Sequence, residues 1–216
     1  MAQKKVGFRD KRSRKMVWMS HCMLDENVRF PGIAAAPGAL EELIKPLIDK
    51  GIGLEQLPCA ECKGWGGVNR MKVVEWDGNE KADWIVGYGD LCQRLAKDAV
   101  DDMEDAVKQG YQVLGVIAAN DSPSCGITRT MDFPGFMSKM AGMMAEVKMD
   151  FSNLDMDKLS EIIPKLVKDG SGQFMGRVAD EIKRRGLNIP VVGFENEAWA
   201  DFHKERERVF KELRIT

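Results

Sequence analysis

Sulfur supplies most of the chemistry that this chain could perform. Cysteines stand at 22, 59, 62, 92 and 125, whereas the only histidines are His21 and His203. So little imidazole leaves scant material for a histidine-rich zinc site or a Ser-His-Asp triad. An odd cysteine count in a chain expected to be cytoplasmic favours metal binding or thiol chemistry over a disulfide framework. The stretch VIAANDSPSCGIT, residues 116–128, shows the pattern best. There an apolar run opens into a loop that carries Ser122, Ser124 and Cys125 around a proline.

Thiols far apart in sequence act together only if secondary structure brings them to one place. Apolar runs at 16–20, 52–57, 111–119 and 188–195 read as strands. Helical spacing marks 37–50, with Pro46 expected to kink or break that helix. Further helices are expected at 90–108 with Asp90 as N-cap, at 155–168, at 173–186 and at 197–213. The alternation predicts an α/β fold: a mostly parallel open sheet with helices on both faces, Rossmann-like or flavodoxin-like. In such a sheet ligands bind at the carboxyl edge of the strands. Cys22, Cys59 and Cys125 each follow a predicted strand, so they are expected to converge in one crevice. Cys92 lies inside a predicted amphipathic helix and reads as core. Cys62 forms a C-x-x-C with Cys59 and could be a spare ligand, a redox partner or neither.

Three converging thiolates admit several occupants. Zinc takes four protein ligands, or three and a water, and often includes histidine. Iron–sulfur clusters usually take four thiolates, and one held by three leaves an iron open to a substrate atom. Glu61 lies two residues past Cys59 and Ser122 three before Cys125. Each could move a proton or hydrogen-bond a ligand on such an iron. Each also has a plainer role, Glu61 as a solvated loop carboxylate and Ser122 as a turn or helix cap.

The motifs resemble a known family. SHCMLDENVRFPG (20–32) is similar to the S-x-C-L-x-G-x-x-V-R-Y-x-G opening of the family known as domain of unknown function 523. LPCAEC (57–62) resembles its P-x-C-P-E segment, and NDSPSCG (120–126) its S-P-S-C-G motif. The distal GQFMGRVADEIKRRGLNIPVVGFENE resembles its closing helix, strand and Glu. The likeness spans roughly 16–128 and 172–197. It departs at Asp25, where the family has Gly, and at Ala60, which replaces the Pro of C-P-E. The best understood members are 2-thiouracil desulfurases of the TudS type. The resemblance implies an oxygen-sensitive [4Fe–4S] cluster held by Cys22, Cys59 and Cys125. The fourth iron would be free to take sulfur from a thiocarbonyl, with Glu61 and Ser122 transferring protons.

Composition sets the remaining bounds. With 216 residues, 44% hydrophobic and 31% charged, the chain suits a single α/β domain over 16–216 with a Met-rich insertion around 129–152. That insertion is either a flap over the site or Met-padded core. Residues 1–15 form a basic arm whose only acid is Asp10. No apolar run approaches the ~20 residues that span a bilayer, and the N-terminus is polar and basic, so we expect a cytoplasmic protein with no membrane partner. GWGGVNR (64–70) is not a G-x-G-x-x-G fingerprint. The leading expectation is a desulfurase acting on a small thiolated molecule. One alternative is a non-catalytic iron–sulfur or sulfur carrier. The other is a nucleic-acid-binding domain that uses the basic arm.

Overall fold

The computed structural model describes residues 10–30, 33–68, 78–132, 165–197 and 200–216, the side chains of 78–86 aside. Most of the basic arm, most of the Met-rich segment and most of the helix expected at 155–168 lie outside the described residues.

Four parallel strands form the central sheet: β1 (Lys15–Ser20), β2 (Gly53–Leu57), β3 (Gln112–Ala119) and, taken here out of order, β6 (Val191–Phe194). Their spatial order is β2-β1-β3-β6, with every neighbouring pair parallel. The expected open α/β sheet is therefore present. Val116, Ile117, Ala118 and Ala119 are consecutive in β3 and all buried, so both faces of that strand are covered. Helices do the covering in two packed pairs. One joins α2 (Glu41–Asp49) to α6 (Phe202–Glu212); the other joins α4 (Gly78–Lys108) to α5 (Gln173–Arg184). Two short helices, α1 (His21–Leu24) and α3 (Ala60–Gly64), follow β1 and β2. Among the described residues no helix is long and apolar enough to cross a membrane.

Several boundaries differ from the sequence reading. Pro46 neither breaks nor ends α2. Its ring removes the N–H that would serve the Glu42 carbonyl, and Arg206 Nη1 of α6 donates to that carbonyl at 3.3 Å instead. Asp90 is not an N-cap, because α4 begins twelve residues earlier at Gly78. Residues 167–169 are not helical: β5 (Val167–Asp169) pairs antiparallel with β4 (Arg129–Met131) in a second sheet. Gly170 follows with a φ of 133°, a conformation that suits glycine and stops any continuing helix. Cys92 is fully buried in α4, as its place on an amphipathic helix predicted.

Candidate functional site

Register explains how two of the thiols meet. Ser20 at the end of β1 pairs with Leu57 at the end of β2, so Cys22 and Cys59 each lie two residues beyond matched positions. Cys22 then enters the single turn of α1. Cys59 is the N-cap of α3, its Sγ accepting from the Cys62 N–H at 3.4 Å. The Cys62 thiol donates to the Val28 carbonyl at 3.7 Å.

Cys125 arrives from the other side of β1. The chain must reverse its lateral direction between β2 and β3, which opens a crevice at the carboxyl ends of β1 and β3. Ser20 Oγ accepts there from the Ala119 N–H at 3.1 Å, tying the two strand ends together. The following loop is built from its own side chains. Ser122 Oγ accepts from the N–H groups of Ser124 at 3.2 Å and Cys125 at 3.0 Å. Asn120 Oδ1 accepts from the N–H groups of Ile127 and Thr128, both at 3.3 Å. From outside, α5 donates its first N–H groups to the loop: Gln173 to Pro123 O at 3.0 Å, Phe174 and Met175 to Ser124 O at 3.0 and 2.9 Å. The orphan donors of a helix start and the carbonyls of a tight loop thus satisfy one another.

The structure brings all five residues singled out in the sequence to this edge. Cys125 is buried, and Cys22 and Cys59 are partly so. Burial pushes the Cys125 thiol well above its ordinary range, and like charge from Cys22, Cys59 and Glu61 adds to this, which places the four groups within electrostatic reach. Cys22 is pushed up to about 12, chiefly by burial, with the Arg29 guanidinium opposing the shift. The Ser122 hydroxyl donates to Glu61 Oε1 at 3.2 Å. Ser122 therefore fills the plainer role considered for it, capping the Cys125 turn, and it also touches the Glu61 carboxylate.

Alkaline pH should weaken the metal-free protein. An unfolded Cys22 ionises near the ordinary 9.0, whereas the folded one holds its proton until about 12. Stability is thus fully present below the lower value and lost as pH rises toward the upper one. Denaturant midpoints at about pH 8 and about pH 10 should show the loss, and Cys22→Ala should reduce it, the raised Cys125 thiol supplying part of the remainder.

Sequence reasoning assigned no role to the segment after β6, although it quoted FENE. Asn196 Nδ2 donates to Cys22 Sγ at 3.5 Å. Arg29 Nη1 donates to the Asn196 carbonyl at 2.6 Å, and Nη2 to Glu197 Oε1 at 2.7 Å. Tyr88 and Ser124 share a buried hydrogen bond of 2.5 Å behind the loop. The only signal for these residues was the presence of Arg29, Ser124, Asn196 and Glu197 in quoted motifs, which says nothing of what they touch.

Thiols are the donors that a thiolate-ligated cluster would need. None of the five cysteines is in a disulfide, and three of them share the crevice. Among the described residues no three His, Cys, Asp or Glu side chains are placed to hold one metal ion.

Comparison with known proteins adds little beyond this geometry. No family model matches the chain. No solved structure matches it either. An uncharacterized protein of Methanocaldococcus jannaschii is 22% identical over 163 residues, covering 73% of this chain and 99% of that protein.

Proposed function

We propose that this protein is an iron–sulfur-dependent desulfurase, converting the C=S group of a thiolated nucleobase or similar thiocarbonyl compound to C=O. The observation that carries the reading is the Ser122–Glu61 hydrogen bond of 3.2 Å beside three convergent cysteines. A bare metal store needs the thiols but has no use for a positioned carboxylate–hydroxyl pair. Cys22, Cys59 and Cys125 would hold a [4Fe–4S] cluster; bound there, it supplies an open, Lewis-acidic iron that suits a soft thiocarbonyl sulfur and makes the attached carbon more electrophilic. Glu61 takes a proton from the water that adds to this carbon and returns it to the departing sulfur. Ser122 orients the Glu61 carboxylate while its oxygen holds the Cys125 turn. Thiocarbonyl and water give carbonyl and hydrogen sulfide, so no electron acceptor is required. Five cysteines outside any disulfide accord with the reducing conditions of a cytoplasmic setting.

The test is anaerobic reconstitution followed by an assay for hydrogen sulfide released from 2-thiouracil and related thiolated bases. Glu61→Gln keeps the shape of the side chain but loses its titratable group. Its rate should fall by roughly 10²-fold while the iron content stays unchanged. Ser122→Ala should also be slower, and because it removes an acceptor from two loop N–H groups it should melt lower as well. A loaded protein that turns over none of these substrates would favour the carrier. Wild-type turnover by Glu61→Gln would remove the carboxylate from the mechanism. A nucleic-acid-binding domain would instead show steeply salt-dependent binding that vanishes with residues 1–15.

A further inference from the structure

The tripeptide Glu195-Asn196-Glu197 leaves the end of β6 and crosses to both cysteine loops. Arg129 Nη1 meets Glu195 Oε1 at 3.1 Å, and the same guanidinium reaches Asp121 in the loop of Cys125 through Nε at 3.0 Å. On the other side, Arg29 from the segment after Cys22 holds the Asn196 carbonyl and the Glu197 carboxylate. Its side chain is only 8% exposed, and Glu26 lies 3.7 Å from the same guanidinium. A buried fork bonded to the carbonyl of one residue and the carboxylate of the next holds the pair as a lysine could not. Both neighbours of Asn196 are thereby anchored, and its own amide ends at Cys22 Sγ, 3.5 Å away.

We propose that Asn196 is a positioning residue for the Cys22 thiolate, held against it by the arginine-clamped strap Glu195–Glu197. Asn196 is 1% exposed, and its Oδ1 has no hydrogen-bond partner among the described residues. A side chain kept only for packing would gain nothing from an orphaned acceptor, so the N–H end carries the role. An N–H donor favours thiolate over thiol, and hydrogen bonds to cluster sulfurs favour the reduced state by spreading its added negative charge. The electrochemical consequence rests on the cluster reading above; the contact between Asn196 and Cys22 does not.

Two measurements on the full-length protein test this. In anaerobically reconstituted protein, Asn196→Asp keeps the side-chain shape and turns the donor into an acceptor. Its iron content should match the wild type, and at a fixed poise the ratio of reduced to oxidised cluster should fall about tenfold, about 59 mV for one electron. Arg29→Lys should move the potential the same way by less, since it keeps the charge and loses the fork. In the metal-free protein, iodoacetamide labelling of Cys22 at fixed pH, followed by peptide mass mapping, should be about tenfold slower in Asn196→Asp, with Cys62 labelling unchanged. This second readout needs no cluster. A wild type that takes up no iron would overturn the desulfurase reading, and slowed Cys22 labelling would still support the strap. Unchanged Cys22 labelling in Asn196→Asp overturns the proposal, as does an unchanged potential in a loaded variant. If Asn196→Asp fails to fold, Asn196→Ala is read the same way, with the potential expected to fall.

Discussion

Serine at position 22, 59 or 125 is expected to cut the iron content of anaerobically reconstituted protein from about four per chain, the content of one cubane, to near background. Each thiol comes from a different strand end, and the three share a single crevice. Losing one leaves two soft donors where the cluster needs three, and a serine hydroxyl is a poor match for iron–sulfur chemistry. Cys92→Ser is the internal control. That thiol is fully buried in α4, so the variant should lose stability while keeping its iron. Cys62→Ser should keep the cluster too, because the Cys62 thiol is engaged with the Val28 carbonyl. Iron and acid-labile sulfide counts with visible spectra decide all five variants. Full loading of Cys125→Ser together with loss in Cys92→Ser would end the convergence argument.

The second large effect is structural and falls on two glycines, Gly126 in the Cys125 loop and Gly172, the N-cap of α5 packed against it. A Cβ on Gly126 would lie 2.1 Å from the Arg129 carbonyl oxygen, and one on Gly172 would lie 2.5 Å from the Ser124 carbonyl carbon. Both obstacles are backbone, which cannot swing aside as a side-chain tip can. Gly126→Ala and Gly172→Ala should therefore each destabilise the protein by about 3 kcal/mol, the upper part of the overpacking range. For a chain of this size that corresponds to a melting temperature lower by roughly 6–12 °C. Gly87 lies exposed within α4 and has nothing within 4 Å of an added Cβ. Gly87→Ala should instead stabilise by about 0.5–1 kcal/mol, because alanine suits a helix interior better. Thermal melts of the three variants measured side by side check both signs. Equal melting temperatures for Gly126→Ala and the wild type would show that the loop yields.

What the sequence determined on its own was the alternation of elements and the placement of sulfur within it. An apolar run such as YQVLGVIAA reads as a strand covered on both faces, and three of the predicted strands lead into a cysteine directly or across a short loop. A parallel sheet sends all those ends to one edge, so the meeting of Cys22, Cys59 and Cys125 followed from local pattern plus one topological rule. Glu61 and Ser122 came with them because they lie within three residues of a cysteine. Local pattern failed where distant chain compensates for it. Pro46 reads as a breaker until Arg206 takes the freed Glu42 carbonyl, 164 residues away in sequence. Asp90 reads as a cap because Gly87 and Gly89 interrupt the helical pattern before it, yet α4 runs through both. Val167–Asp169 is extended because β4 offers a partner edge, which no window of sequence contains. The strap is the extreme case. Arg29 and Asn196 are 167 positions apart, and nothing in either neighbourhood marks them as partners. Only folding, by laying β6 beside β3 and carrying its outgoing chain over β1, sets that arginine against that carbonyl and that amide against Cys22. Periodicity encodes which face of an element is buried. Which polar groups meet across the closed edge depends on the whole chain being in place.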